Sequence, residues 1–147
     1  MSIRRAVEAQ IKYTLDSYIP SQQDGYNHQV VESLRLADRP LPAVIVVAGT
    51  ATPAFDNLPD SQGNFKIPMT VIVMSSLDDT TVDKHSELSN LISRIMRMPT
   101  SRFQNRVEGL HIYDITQGTI GQENEGRRMI AVLNFDMVVN YMPEAPL

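Results

Sequence analysis

The sequence predicts an α+β fold: a mainly antiparallel sheet of about four or five strands with two helices packed on one face. Two observations lead there. Apolar residues recur at helical spacing near the N-terminus and again in the middle of the chain, while two other stretches alternate with the period of two that marks a strand. The elements follow in the order α-β-β-α-β-β. Strands adjacent in sequence join most simply as hairpins, which favours antiparallel pairing. At 147 residues the chain is the size of one ordinary domain, read here as 1–147.

The first helix is expected over Ile3 to Ile19, with a stripe of Ile3, Val7, Ile11, Leu15 and Tyr18. Ser2 is its N-cap and Pro20 its stop. A polar link follows, with a turn at Asp24-Gly25. Residues 26–36 fit helix or strand and are read as a short edge strand. Arg39-Pro40-Leu41-Pro42 forces extended backbone. It leads into Ala43-Val44-Ile45-Val46-Val47-Ala48, a buried strand by its β-branched composition. Gly49 to Asn64 is expected to be a loop of the length that is usually functional.

Phe65, Ile67, Met69, Val71 and Val73 then alternate along a strand. Pro68 lacks a ladder donor, so its end of the strand should lie at an edge or bulge. Leu77-Asp78-Asp79-Thr80-Thr81 starts a second helix, with acceptors for the free amides and carboxylates at the positive end of the dipole. That helix is expected to run to about Met98 before Pro99 and to bury Leu88, Leu91, Ile92, Ile95 and Met96. After a polar connection at 99–109, Leu110 to Thr116 is a strand and Gln117 to Gly126 the turn of a long hairpin. Arg128 to Met142 returns as the clearest strand. Met129, Ala131, Leu133, Phe135, Met137, Val139 and Tyr141 share one face; Val132, Asn134, Asp136, Val138 and Asn140 share the other. Residues 143–147 are a tail.

Composition narrows the function. There is no cysteine, which rules out disulfides, thiolate metal sites and a cysteine nucleophile. No apolar run approaches the roughly 18–20 residues that span a bilayer. Glu8, Gln10 and Lys12 interrupt any signal-peptide core. The net charge of −4 argues against coating DNA through its phosphates. Ten arginines stand against three lysines, the bias of protein–protein interfaces.

No catalytic pattern emerges, and no enzyme activity, cofactor or metal is expected. Asp78, Asp79, Asp83 and His85 carry the right donors for a divalent ion, but helix capping accounts for them more simply. GQENEGRR, residues 121–128, lacks the Lys and Ser/Thr of a phosphate loop and precedes a strand instead of a helix. No nucleophile elbow surrounds any serine.

Gly63-Asn64-Phe65 through Val73, then Ser75-Ser76-Leu77-Asp78-Asp79-Thr80-Thr81 with His85 and a long amphipathic helix, resembles tail-terminator (tail-completion) proteins of tailed bacteriophages. The resemblance covers about Ala43 to Tyr141. It implies a hexameric ring that caps the tail tube, meets the neck and lets DNA pass through without specific binding. The partners would be further copies of the chain, the tail tube protein and a neck or connector protein. The location would be the virion tail or neck, after assembly in the host cytoplasm. It brings no catalytic residues. A closed ring needs contacts between two different patches of neighbouring subunits. Candidate contact residues are Thr119, Ile120, Glu123, Glu125, Arg127 and Arg128 around the hairpin tip, and Phe55 and Leu58 in the 49–64 loop. Another neck ring protein, such as a head-completion or stopper protein, is the nearest alternative. A small enzyme or ligand-binding domain is the alternative of another class and predicts a deep pocket with convergent polar groups.

Overall fold

The computed structural model describes residues 2–19, 30–31, 42–53, 63–77, 82–103 and 106–142. Helix α1 spans Ile3–Tyr18. Ser2 caps it as the sequence requires, its hydroxyl accepting from the Arg5 amide at 3.3 Å. Ile19 closes it, its N–H donating to the Leu15 carbonyl at 2.8 Å. Ala6, Val7, Ile11 and Leu15 form its buried stripe. Tyr18 instead lies at the surface, and its hydroxyl donates to the Arg102 carbonyl at 2.8 Å. Helix α2 spans Val82–Met96 and buries Leu88, Ile92, Ile95 and Met96. The Arg97 and Met98 amides still bond back, three residues, to Arg94 and Ile95, a tightened last turn before Pro99.

Among the described residues there are six strands: β1 Val30–Val31, β2 Ala43–Ala48, β3 Thr52–Pro53, β4 Asn64–Ser76, β5 Leu110–Glu125 and β6 Arg128–Tyr141. Five run side by side in the order β1-β2-β4-β6-β5, and β3 pairs with β4 beyond the end of β2. All pairings are antiparallel except β1 with β2. The fold is therefore the α+β class read from the sequence. The edge strand expected within 26–36 is present at Val30–Val31. The Asp24-Gly25 turn, the Asp78–Thr81 helix start, the 143–147 tail and the central part of the 49–64 loop, with Phe55 and Leu58, lie outside the described residues.

Both helices cover the same face of the sheet. Val44, Val46 and Ala48 of β2, Ile67, Met69, Val71 and Val73 of β4, and Ala131, Leu133, Phe135, Met137 and Val139 of β6 meet the two helical stripes in one core. Each of these side chains larger than alanine contributes about 1.5–3 kcal/mol by leaving water. Cross-strand register sets this sorting, since a one-residue slip would turn every side chain over. The opposite face, free of helix among the described residues, carries a smaller apolar cluster of Ile45, Met74 and Ile130, with Val47, Ile72 and Val132 packed against it.

Two expected loops are strand instead. Part of the 49–64 loop is β3, where Thr52 and Pro53 pair with Lys66 and Phe65. The expected turn at Gln117 to Gly126 is almost wholly strand: β5 continues through Glu125, and only Gly126 and Arg127 make the turn. Gly126 has φ +60°, the left-handed conformation a two-residue hairpin turn demands. Polar composition suggested a loop, yet an edge strand with both faces wet is equally polar.

Pro68 sits inside β4, but its missing donor faces a gap. Its carbonyl accepts from the Gly49 amide at 2.7 Å, just past the end of β2, so its nitrogen points to the same side. The break between β2 and β3 falls where a proline can be tolerated. A Cβ on Gly49 would lie 2.6 Å from the Pro68 ring. Gly49→Ala should therefore cost about 1–3 kcal/mol by overpacking. Urea denaturation would read this as a lower midpoint at unchanged slope; an unchanged midpoint would show that the junction yields freely.

The end of β2 is closed by α1. The Ala48 amide donates to the buried Glu8 carboxylate at 3.0 Å, and the Ala48 carbonyl accepts from Arg4 Nε at 3.0 Å. Two backbone groups that would form an open sheet edge are thus satisfied by side chains one helical turn apart.

Candidate functional site: the uncovered half of the β5–β6 hairpin

The helices cover β2, β4 and β6 but leave the far half of β5 bare. Every residue from Gly118 to Asn124 is exposed, although each lies in a paired strand. Among the described residues β5 is also the last strand of the sheet, and its outer edge of N–H and C=O groups has no partner strand there. Exposed edges of this length are where chains pair with other chains unless something blunts them.

Two bulges shape the edge. Register slips by one residue between Ile112 and Asp114, and again between Gln117 and Ile120. At the second, Gly118 and Thr119 together oppose Asn134. The Asn134 amide nitrogen donates to Thr119 Oγ1 at 3.0 Å, and its oxygen accepts from Thr70 Oγ1 at 3.0 Å. A polar row therefore ties β4, β6 and β5 together and holds the bulge in place. Bulges add local twist and re-aim the side chains beyond them. Here the second one carries Ile120 to the helix side, opposite Leu133.

Ile120 reaches past the helix layer and is 51% exposed. With Gln117 it forms one wall of a groove of about 590 Å³, whose other wall is Glu87, Asn90, Ser93, Arg94 and Arg97 of α2. Gln117 Nε2 donates to Ser93 Oγ at 2.9 Å across the groove floor. A second depression continues from Arg97 along Met98 to Ser101 and back to Tyr113, Asp114 and Ile115. Tyr113, the bulged residue, is 54% exposed and stands edge-on to the His111 ring, with centroids 4.5 Å apart. Two exposed apolar side chains thus line two neighbouring depressions that share Arg97.

The structure brings most of the sequence-read contact residues into this region. Thr119, Ile120 and Glu123 lie on β5, Arg127 in the turn, and Arg128 opposite Glu125 at the start of β6. The Glu125 side chain lies outside the described residues. Thr119 is partly committed within the chain through Asn134. Ile120 faces the helix side, while Glu123 pairs with Ile130 and faces the helix-free side. The α2 wall of Glu87, Arg94 and Arg97 was missed as a contact surface. Its arginines read as favourable charges at the helix C-terminus, and nothing in the sequence placed that wall beside the hairpin.

His85 is the other polar feature. It is 3% exposed, and its Nδ1 is 2.8 Å from Ser75 Oγ. Its Nε2 has no hydrogen-bond partner at bonding distance. Asp83 is exposed while His85 turns inward, so the two do not converge as metal ligands. Among the described residues no group of three or more His, Asp or Glu side chains gathers around a metal-sized space. Burial lowers the His85 pKa below its ordinary value, and the Gln122 side chain acts in the opposite direction. The depressed pKa sets a sign: the unfolded chain binds the proton more readily. His85 should therefore cost stability as pH falls from about 6.5 towards the folded pKa, with the full loss below it. His85→Gln should flatten that part of the profile relative to the parent. Melting curves between pH 7.5 and 5 that run parallel for the two proteins would refute this.

No protein-family model and no curated protein matches the sequence.

Proposed function

We propose that the protein is a ring-forming structural subunit of the tail-terminator type in a tailed bacteriophage. The observation that carries the reading is the bare far half of the β5–β6 hairpin beside the α2 groove. A monomer has no use for a long, wet, bulged edge strand with Ile120 and Tyr113 in solvent, whereas a subunit that contacts neighbours does. The resemblance across Ala43 to Tyr141 supplies the kind of assembly.

The action is steric. A ring seated on the last ring of tail tube covers the surface to which another tube subunit would add. It then presents a different face to the neck. The hairpin tip with Glu123 and Arg127 and the groove between Ile120 and α2 are different patches, as a heterologous contact requires, and such contacts close into a ring when the rotation between neighbours allows. No bond is made or broken, so the function draws on interface area and complementary charge alone.

Electron micrographs of the purified protein, alone and mixed with tail tubes, test the proposal. Closed rings that sit at tube ends and stop elongation are the expected result. A monomer at all concentrations, with tubes growing unchecked, would overturn it.

A further inference from the structure

We infer that the hairpin arm of one copy docks into the α2–β5 groove of a second copy, with Glu123 against Arg94 and Arg97. This rests on the ring reading above and names the contact within it. The occupant follows from charge. The groove offers two guanidiniums, Arg94 and Arg97, and one carboxylate, Glu87. Neither arginine meets a carboxylate among the described residues; Arg97 Nε donates only to the Ser93 carbonyl, at 3.2 Å. The arm offers the opposite set: exposed Glu123 on β5 and exposed Arg127 in the turn. Each side thus has a partner for both signs on the other, and a guanidinium can hold a carboxylate through two parallel hydrogen bonds.

Gly121 agrees with an incoming neighbour. A glycine inside a strand weakens it, and usually marks a tight conformation or a close approach of another backbone. At Gly121 φ is not in the left-handed range, and a Cβ would meet nothing within 4 Å. Nothing within the described chain accounts for the missing side chain. Gly121 also ends a cross-strand row on the helix-free face, where Ile45, Ile72 and Val132 lie beside it in register. Without a side chain at its end, the arm is thin enough to enter a groove and leaves the flank of Val132 open.

Three variants of the full chain test the contact: Arg94→Glu, Glu123→Arg and Gly121→Val. Assembly is followed by light scattering against concentration and salt, and folding by thermal melts. Either charge reversal should raise the concentration for half-assembly at least ~10-fold, the effect of losing one well-formed charge pair. The double swap should restore it, and the losses should be smaller at high salt. Gly121→Val should melt no lower than the parent, because valine suits an open strand position, yet assemble less well. Rings that form equally well in all three variants would overturn the contact and leave the ring reading standing. Rings unchanged but tube binding lost would assign the edge to the tail tube and overturn the second-copy occupant. A parent that never assembles would remove the ring reading and this contact together.

Discussion

Leu133→Asp and Phe135→Asp should each abolish the folded state. Both side chains are about 1% exposed, in the middle of β6, within the core cluster that both helical stripes join. Truncating a buried aromatic costs about 3–5 kcal/mol, and leaving an unpaired carboxylate in the core costs several more. A domain of this size has only about 5–15 kcal/mol in total, so either change consumes most or all of it. Circular dichroism and amide proton dispersion should report an unfolded chain at 25 °C. Asn134, between the two, points to the other face. Asn134→Asp should keep the fold while loosening the bulge, because the donor to Thr119 is lost and its acceptor to Thr70 is kept. Native melting curves for both core variants would mean that β6 had been faced the wrong way.

Gln10→Leu should cost about 2–4 kcal/mol, although it places an apolar residue at a buried helix position. Gln10 is 1% exposed. Its Oε1 accepts from the Arg106 amide at 3.0 Å and the Val107 amide at 3.1 Å, tying α1 to the segment that leads into β5. Leucine leaves both amides without their acceptor, at about 1–3 kcal/mol for each one that stays dry. A partial offset comes from removing Gln10 Nε2, which is buried without a partner. Chemical denaturation measures the balance, and hydrogen exchange at Arg106 and Val107 locates it. A variant as stable as the parent, with both amides still protected, would show that another group had taken over the acceptor role.

The fold was legible to the extent that it rests on periodicity. The alternation at 65–74 and 129–141 places one apolar face inward, and only one register satisfies both strands at once. The two helical stripes and the Ser2 cap are equally local signals. The reading failed at Gln117 to Glu125 and at Thr52–Pro53, because strand there comes from pairing with an already formed neighbour. Glycine, asparagine and glutamate have low strand propensity, yet thirteen residues of β4 and fourteen of β6 lay down a long template for the edge. Tertiary context overrides propensity in such a place.

The candidate site was legible only on one side. Polar and charged residues near a hairpin end marked Thr119, Ile120, Glu123, Arg127 and Arg128 as surface. Their facing could not be read, because each bulge turns the following side chains over and no sequence signal located the second bulge beside Asn134. The α2 wall was invisible for a different reason. Residues some thirty positions apart meet there only because both helices pack on one face and leave the far half of β5 outside the layer.

By itself, then, the sequence determined what depends on neighbours along the chain: two amphipathic helices, the strongly alternating strands, the caps and breaks, and a composition without cysteine. The tertiary structure alone decided what depends on neighbours across it. It set the order β1-β2-β4-β6-β5, continued β5 to Glu125, put Gln10 and Glu8 to work on distant backbone amides, and opened the groove between α2 and the bare edge. Local patterns set which face of each element is apolar. Burying those faces together is a collective problem, and its solution determines which edge is left for a partner.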